Sequence, residues 1–148
     1  MPILADRIEV QHGATVSVTV MQSPDYVAAL KRAGRPFASP MAVLGILDTG
    51  ASCSALDSRI VRLMSLQHRG VAEIHTPSTG AGVVHKGVYD ATLALGETTG
   101  RPISATVPVI ECEFASRGFL ALIGRDLLNL CILTYDGPTG RFQLEWPD

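Results

Sequence analysis

A chain of 148 residues, 47% hydrophobic and 18% charged, has the balance of a folded globular domain and falls outside the disordered and membrane-embedded classes; at this size one core can cover roughly two-thirds of the unfolded surface. Its net charge of −2 comes without a face of clustered Lys and Arg interleaved with aromatics, which argues against nucleic acid as a partner. Residues 1–6 bring no positive charge ahead of an apolar stretch, and the longest apolar run, Met41–Leu47, is far too short to cross a bilayer, so the expectation is one cytoplasmic domain over residues 1–148 with no membrane partner.

Residues 14–20 alternate small polar and β-branched apolar side chains, the period of a strand buried on one face, and are expected to open the sheet. Ser23 and Pro24 form an N-cap with proline at the first helical position, and Lys31, Arg32 and Gly34 give a cationic last turn and a stop, which predicts a short helix over 24–33. After a proline-bounded loop over 36–40, Met41–Leu47 is continuously apolar and predicts a strand buried on both faces that ends at Asp48. Asp57 or Ser58 is placed to cap a second short helix with Ile60, Leu63 and Met64 on one side, ended before Gly70.

Strands are expected at 71–75 and 83–95, flanking a hairpin tip of glycines and small residues over 77–82, and again at 103–110. Residues 120–124 give an apolar strand that feeds one or two helical turns over 125–130. Last, 132–135 and 142–146 bracket a turn over 136–140, with Phe142, Leu144 and Trp146 on one face. The class is mainly β, and no repeat or low-complexity linker divides it. Cys53, Cys112 and Cys131 are odd in number and widely separated, neither a disulfide framework nor a zinc set, and are expected to be reduced packing residues. His12, His68, His75 and His85 lack the paired spacing of metal ligands, so no metal or other cofactor is expected.

The run Asp48-Thr49-Gly50-Ala51-Ser52 puts a carboxylate where a buried strand ends, beside a hydroxyl and a flexible backbone. Alone, an Asp followed by Ser or Thr and then Gly arises by chance in roughly one chain in fifteen of this length, and its ordinary role is a strand-ending Asx-turn. Two other patterns fail. Gly50-Ala51-Ser52-Cys53-Ser54 lacks the closing glycine of a serine-hydrolase elbow, and Gly80-Ala81-Gly82 has His85 where a dinucleotide fingerprint needs a third glycine.

Three separated stretches shift the balance for Asp48. They are Ile46-Leu47-Asp48-Thr49-Gly50-Ala51, the hairpin Ser78-Thr79-Gly80-Ala81-Gly82 with Tyr89-Asp90 downstream, and Leu122-Ile123-Gly124-Arg125-Asp126-Leu127-Leu128. In this order they make the chain resemble the retropepsins, the single-domain aspartic proteases of retroviruses and their bacterial relatives, over residues 16–132. The resemblance implies an acid-protease fold: a closed, partly orthogonal β-barrel with a flap hairpin and short helices. It implies that Asp48, with Thr49 and Gly50, forms the catalytic loop, and that Ser78, Thr79, Gly80, Ala81 and Gly82 form a flap closing over peptide. Gly124, Arg125 and Asp126 would brace the loop from beneath. Ile46, Leu120 and Leu122 resemble pocket-lining positions, and Ala51 and Ser52 fall beside the bound peptide.

In that family two carboxyl groups share one proton: one activates a water while the other protonates the carbonyl oxygen or leaving amine. Only one Asp-Thr-Gly is present, so the second carboxyl must come from another copy, and the site lies on the twofold axis of a homodimer. By the same resemblance Thr49 bonds across that axis. The family's second acid, four residues after the catalytic one, is Ser52 here. Arg125 therefore lacks its usual partner, with Asp57 the candidate in its place and an exposed surface arginine the alternative. The termini, with Phe142, Leu144 and Trp146, are expected in the interface. The expected function is hydrolysis of peptide bonds flanked by apolar residues; the alternative is a catalytically silent dimerisation or peptide-binding module.

Overall fold

The computed structural model describes residues 1–75 and 82–148. The first strands are β1 (Ile3–Glu9) and β2 (Gly13–Met21), followed by helix α1 (Pro24–Arg32), β3 (Met41–Leu47), β4 (Ala55–Asp57) and helix α2 (Ser58–Leu63). Then come β5 (Gln67–Ile74), β6 (Val84–Leu95), β7 (Ile103–Cys112), β8 (Ala121–Ile123), helix α3 (Arg125–Leu128), β9 (Ile132–Asp136) and β10 (Arg141–Glu145).

The protein is mainly β, built as a closed six-strand mixed barrel with outer strands and three short helices. Around the ring the order is β6, β7, β4, β8, β3, β2, and β2 returns to β6. Closure falls to β2, which pairs with β3 through residues 15–20 and with β6 through residues 18–21. The joins β3–β8 and β4–β7 are parallel and the others antiparallel. Alternation along β2 turns Val16, Val18 and Val20 inward, where they meet Leu93, Leu95, Val109, Ala121 and Ile123 in the main core, while Ser17 stays exposed. At Gly45 an added Cβ would stand 2.7 Å from Val18 Cγ2, so the absence of a side chain is what lets β3 approach the core this closely.

Outside the ring, β5 extends the sheet beyond β6, while β1 leaves β2 at the Ile8–Ala14 pair and carries β10 and then β9. β10 buries Phe142 and Leu144, and Trp146 follows on the same side, its indole N–H donating to Arg101 O at 2.9 Å. Ser23 caps α1 by accepting from Tyr26 N–H, and the chain leaves the helix through Gly34 at φ +65°. No helix among the described residues is long and apolar enough to cross a membrane.

Several local expectations are corrected. β1 was not expected, because its partly buried Leu4 and Ile8 are four apart and give no two-residue alternation; its ladder is supplied by β10 and β2. β3 is not buried on both faces: Leu44 is 42% exposed and Ala42 is exposed with it, since one face of a barrel strand looks outward, and of that face Ile46 is partly covered by a second apolar cluster. In α2 the inward residues are Ile60, Val61 and Met64, and Leu63 points out at 66% exposure. β5 starts at Gln67, four residues before the expected 71, because an edge strand takes its ladder from β6 whatever its apolar pattern. Phe142, Leu144 and Trp146 share a face as expected, and that face is buried in the chain's own core. Of the expected hairpin tip, Ser78, Thr79, Gly80 and Ala81 lie outside the described residues, and Gly82 is exposed ahead of β6.

Candidate functional site

The parallel β3–β8 ladder runs through Gly45–Ala121, Ile46–Leu122 and Leu47–Ile123 and ends with Asp48 N–H donating to Ile123 O at 2.9 Å. There the chain turns. Gly50 N–H donates to Asp48 Oδ1 at 2.8 Å, and Ala51 N–H to Asp48 O at 3.2 Å. The side-chain bond is that of an Asx-turn, and it fixes one carboxylate oxygen while the residue remains half-exposed. Asp48 makes no ion pair with a described residue. Thr49, Gly50 and Ser52 are exposed beside it, and Ala51 is half-buried.

Beneath the loop lies the segment from Ile123 into α3. Arg125 N–H donates to Ala51 O at 2.9 Å, and the Arg125 guanidinium donates to Thr49 O at 2.8 Å. The partner of Arg125 is therefore a backbone carbonyl. Asp57, the carboxylate expected for that role, is engaged elsewhere: it is 2% exposed, caps α2 through Arg59 N–H, and accepts from Phe114 N–H at 2.7 Å. Gly124 permits the close stacking of the two segments, because a Cβ there would stand 2.6 Å from the Cys53 carbonyl carbon and 3.0 Å from Ala51 O. Asp126 turns back on the far end of the loop and accepts from both Ser54 N–H, at 2.8 Å, and the Ser54 hydroxyl, at 2.7 Å. Gly124, Arg125 and Asp126 thus each contact the Asp48–Ser54 segment. Ser54 is the member that sequence reasoning missed; the available signal was a lone small polar residue leading into the buried strand Ala55–Asp57.

The expected pocket residues divide. Ile46 and Leu122 pack on a second apolar cluster of Ala55, Phe114 and Phe119, with Ile110 and Cys112, on the side of the sheet away from the main core. Leu120 instead packs on the main core. The His12 ring stands edge-on to Phe119, with centroids 5.7 Å apart. The three cysteines are free thiols, all half-buried, and burial pushes Cys112 and Cys131 up from the ordinary thiol range. Among the described residues one concavity, a space of about 280 Å³, is lined by Asp57, Ser58, Arg59, Arg62, Glu113 and Ser116. Its two arginines face two carboxylates, which leaves no field of one sign to select a ligand. Among the described residues no three His, Cys, Asp or Glu side chains are grouped to hold a metal ion.

No protein-family model matches the chain, and no curated protein does. One partly exposed carboxylate per chain, held at a strand end by backbone donors and not consumed by a cation, can accept a proton from water or donate one, but cannot do both at once.

Proposed function

We propose that the chain is one subunit of a homodimeric, retropepsin-like aspartic endopeptidase in which the Asp48 carboxyls of two copies share a proton and activate a water against a peptide carbonyl. The observation that carries this reading is the clamped Asp48 loop: a half-exposed carboxylate at the end of β3, tied at Asp48 N–H, Thr49 O and Ala51 O to Ile123 and Arg125. A surface Asx-turn needs no such support. A carboxyl that must meet its twin in one orientation does, because proton sharing between two acids is sensitive to their spacing. The apolar cluster beside Ile46 and Leu122 would favour a peptide with apolar side chains next to the scissile bond.

The test is cleavage of a diverse peptide library by the purified protein and by Asp48→Asn. The variant keeps the shape and loses the ionisable group, so turnover should fall at least ~10²–10⁴-fold, the range for lost acid–base catalysis, with folding intact. Near-normal cleavage by the variant would remove Asp48 from the mechanism. Because the pair works with one proton, activity should follow a bell in pH with its optimum at about pH 4 to 6.5. A rate that climbs steadily to pH 9 would point to other chemistry.

A further inference from the structure

Seven residues, from Asp48 to Ser54, hang on four consecutive ones, Ile123 to Asp126. Three of the ties use backbone carbonyls: Asp48 N–H to Ile123 O, Arg125 N–H to Ala51 O, and the Arg125 guanidinium to Thr49 O. The remaining ties all meet at Ser54, which is fully buried. Its hydroxyl donates to Asp126 Oδ1 at 2.7 Å and accepts from Gly124 N–H at 3.0 Å, while its own N–H donates to Asp126 Oδ2 at 2.8 Å. Asp126 Oδ1 also takes Leu127 N–H at 2.9 Å, so the carboxylate spans Ser54 and the first turn of α3.

We propose that Ser54 is the positioning residue of the Asp48 loop, setting the loop's height over α3 through a hydroxyl that must donate and accept at once. The role rests on the reading of Asp48 as the catalytic carboxyl. Two physical points carry it. Bonds to an ionised carboxylate are roughly twice as strong as neutral ones, so the Ser54–Asp126 pair outweighs each purely backbone tie in the set. And the ties act together: the loop leaves Ile123 at one end, while at the other Ser54 O takes Ile110 N–H at 3.1 Å and holds the backbone to β7, so the Ser54 hydroxyl is the contact that sets Gly124 and Asp126 against the loop, and its loss lets Arg125 shift relative to Ala51 O and Thr49 O. The position four after Asp48, Ser52, is an exposed serine, so no carboxylate there duplicates the tie. Alanine at 54 would leave the buried Gly124 N–H without its acceptor, and asparagine at 126 would turn an NH₂ toward a donor.

The experiment uses the full-length protein as wild type, Ser54→Ala and Asp126→Asn, and reads amide hydrogen exchange by NMR together with peptide-cleavage kinetics. In Ser54→Ala the exchange of Gly124, Asp48, Ala51 and Arg125 amides should rise at least about tenfold while β2 and β6 amides keep their protection. The kcat should fall by about 10- to 100-fold, as for a small misplacement of a reacting group, with KM nearly unchanged. Faster exchange confined to Gly124, or kcat unchanged while exchange spreads, overturns the proposal, as does a rise in KM alone. If Ser54→Ala loses β2 and β6 protection, Asp126→Asn carries the same expectations and the same overturning results. Wild-type protein that cleaves nothing at any pH would sink the peptidase reading, while the exchange pattern would still decide whether Ser54 positions the loop.

Discussion

Gly124 has a φ of −93°, a value any residue adopts, so its requirement for glycine is one of space. A methyl group would press on the Cys53 carbonyl carbon at 2.6 Å and its oxygen at 2.7 Å, and backbone atoms held by β4 and the Asp48 loop cannot rotate away as a flexible side chain would. Gly124→Ala should therefore destabilise the protein by about 1–3 kcal/mol, the usual range for overpacking, and peptide cleavage should drop with it. Urea unfolding monitored by tryptophan fluorescence would measure the first; a variant as stable as the parent would show that the two segments are free to separate. A short motif reading could name Gly124 and Arg125 together, yet the motif gives no reason for the glycine. That reason is a contact with a residue more than seventy positions earlier.

At the scale of elements, α2 is short and carries its own stop and start. Asp57 supplies the start, accepting Arg59 N–H at 2.9 Å, and the same buried carboxylate takes Phe114 N–H at 2.7 Å, so it ties the helix to the segment after β7. Its contact with the Arg59 guanidinium, at 3.4 Å with Arg59 largely exposed, adds little in water. Replacing Asp57 with Ala removes a cap, typically ~0.5–2 kcal/mol, and orphans a buried N–H, typically ~1–3 kcal/mol; together a loss of about 2–4 kcal/mol is expected. A thermal melt reads it. A melting temperature within a degree of the parent would mean that water replaces both bonds at no cost. The second half of α2 illustrates the limit of periodicity: a helix of six residues is too short for a stripe to average out, and a small rotation put Val61 inside and Leu63 outside.

For the whole molecule, the ring of six strands closes without a second chain, and β10 packs Phe142 and Leu144 into the same core. The C-terminal apolar face is thus spent within the chain's own core. A dimer that brings two Asp48 loops together must use other surface, and the exposed Thr49 and Gly50 beside Asp48 are part of what it would have to cover. Sedimentation equilibrium should give a species of twice the chain mass. A strictly monomeric protein that cleaves peptide would overturn the proposal of one carboxyl per subunit.

What the sequence by itself determined was local. The alternation of β2, the cap and stop of α1, the strand before Asp48 and the helical turn after Ile123 each depend on residues within a few positions of one another, and each was readable. The mainly β class followed from their sum. What only the tertiary structure decided was non-local: the β2–β6 pairing that closes the barrel, the ladder that makes a strand of Ile3–Glu9, the outward face of β3, and the bonds from Ser54 to Gly124 and Asp126, which join residues 70 and 72 positions apart. A buried serine and an exposed one have the same local neighbours. Only the chain that folds over them decides which hydroxyl meets water and which meets a carboxylate.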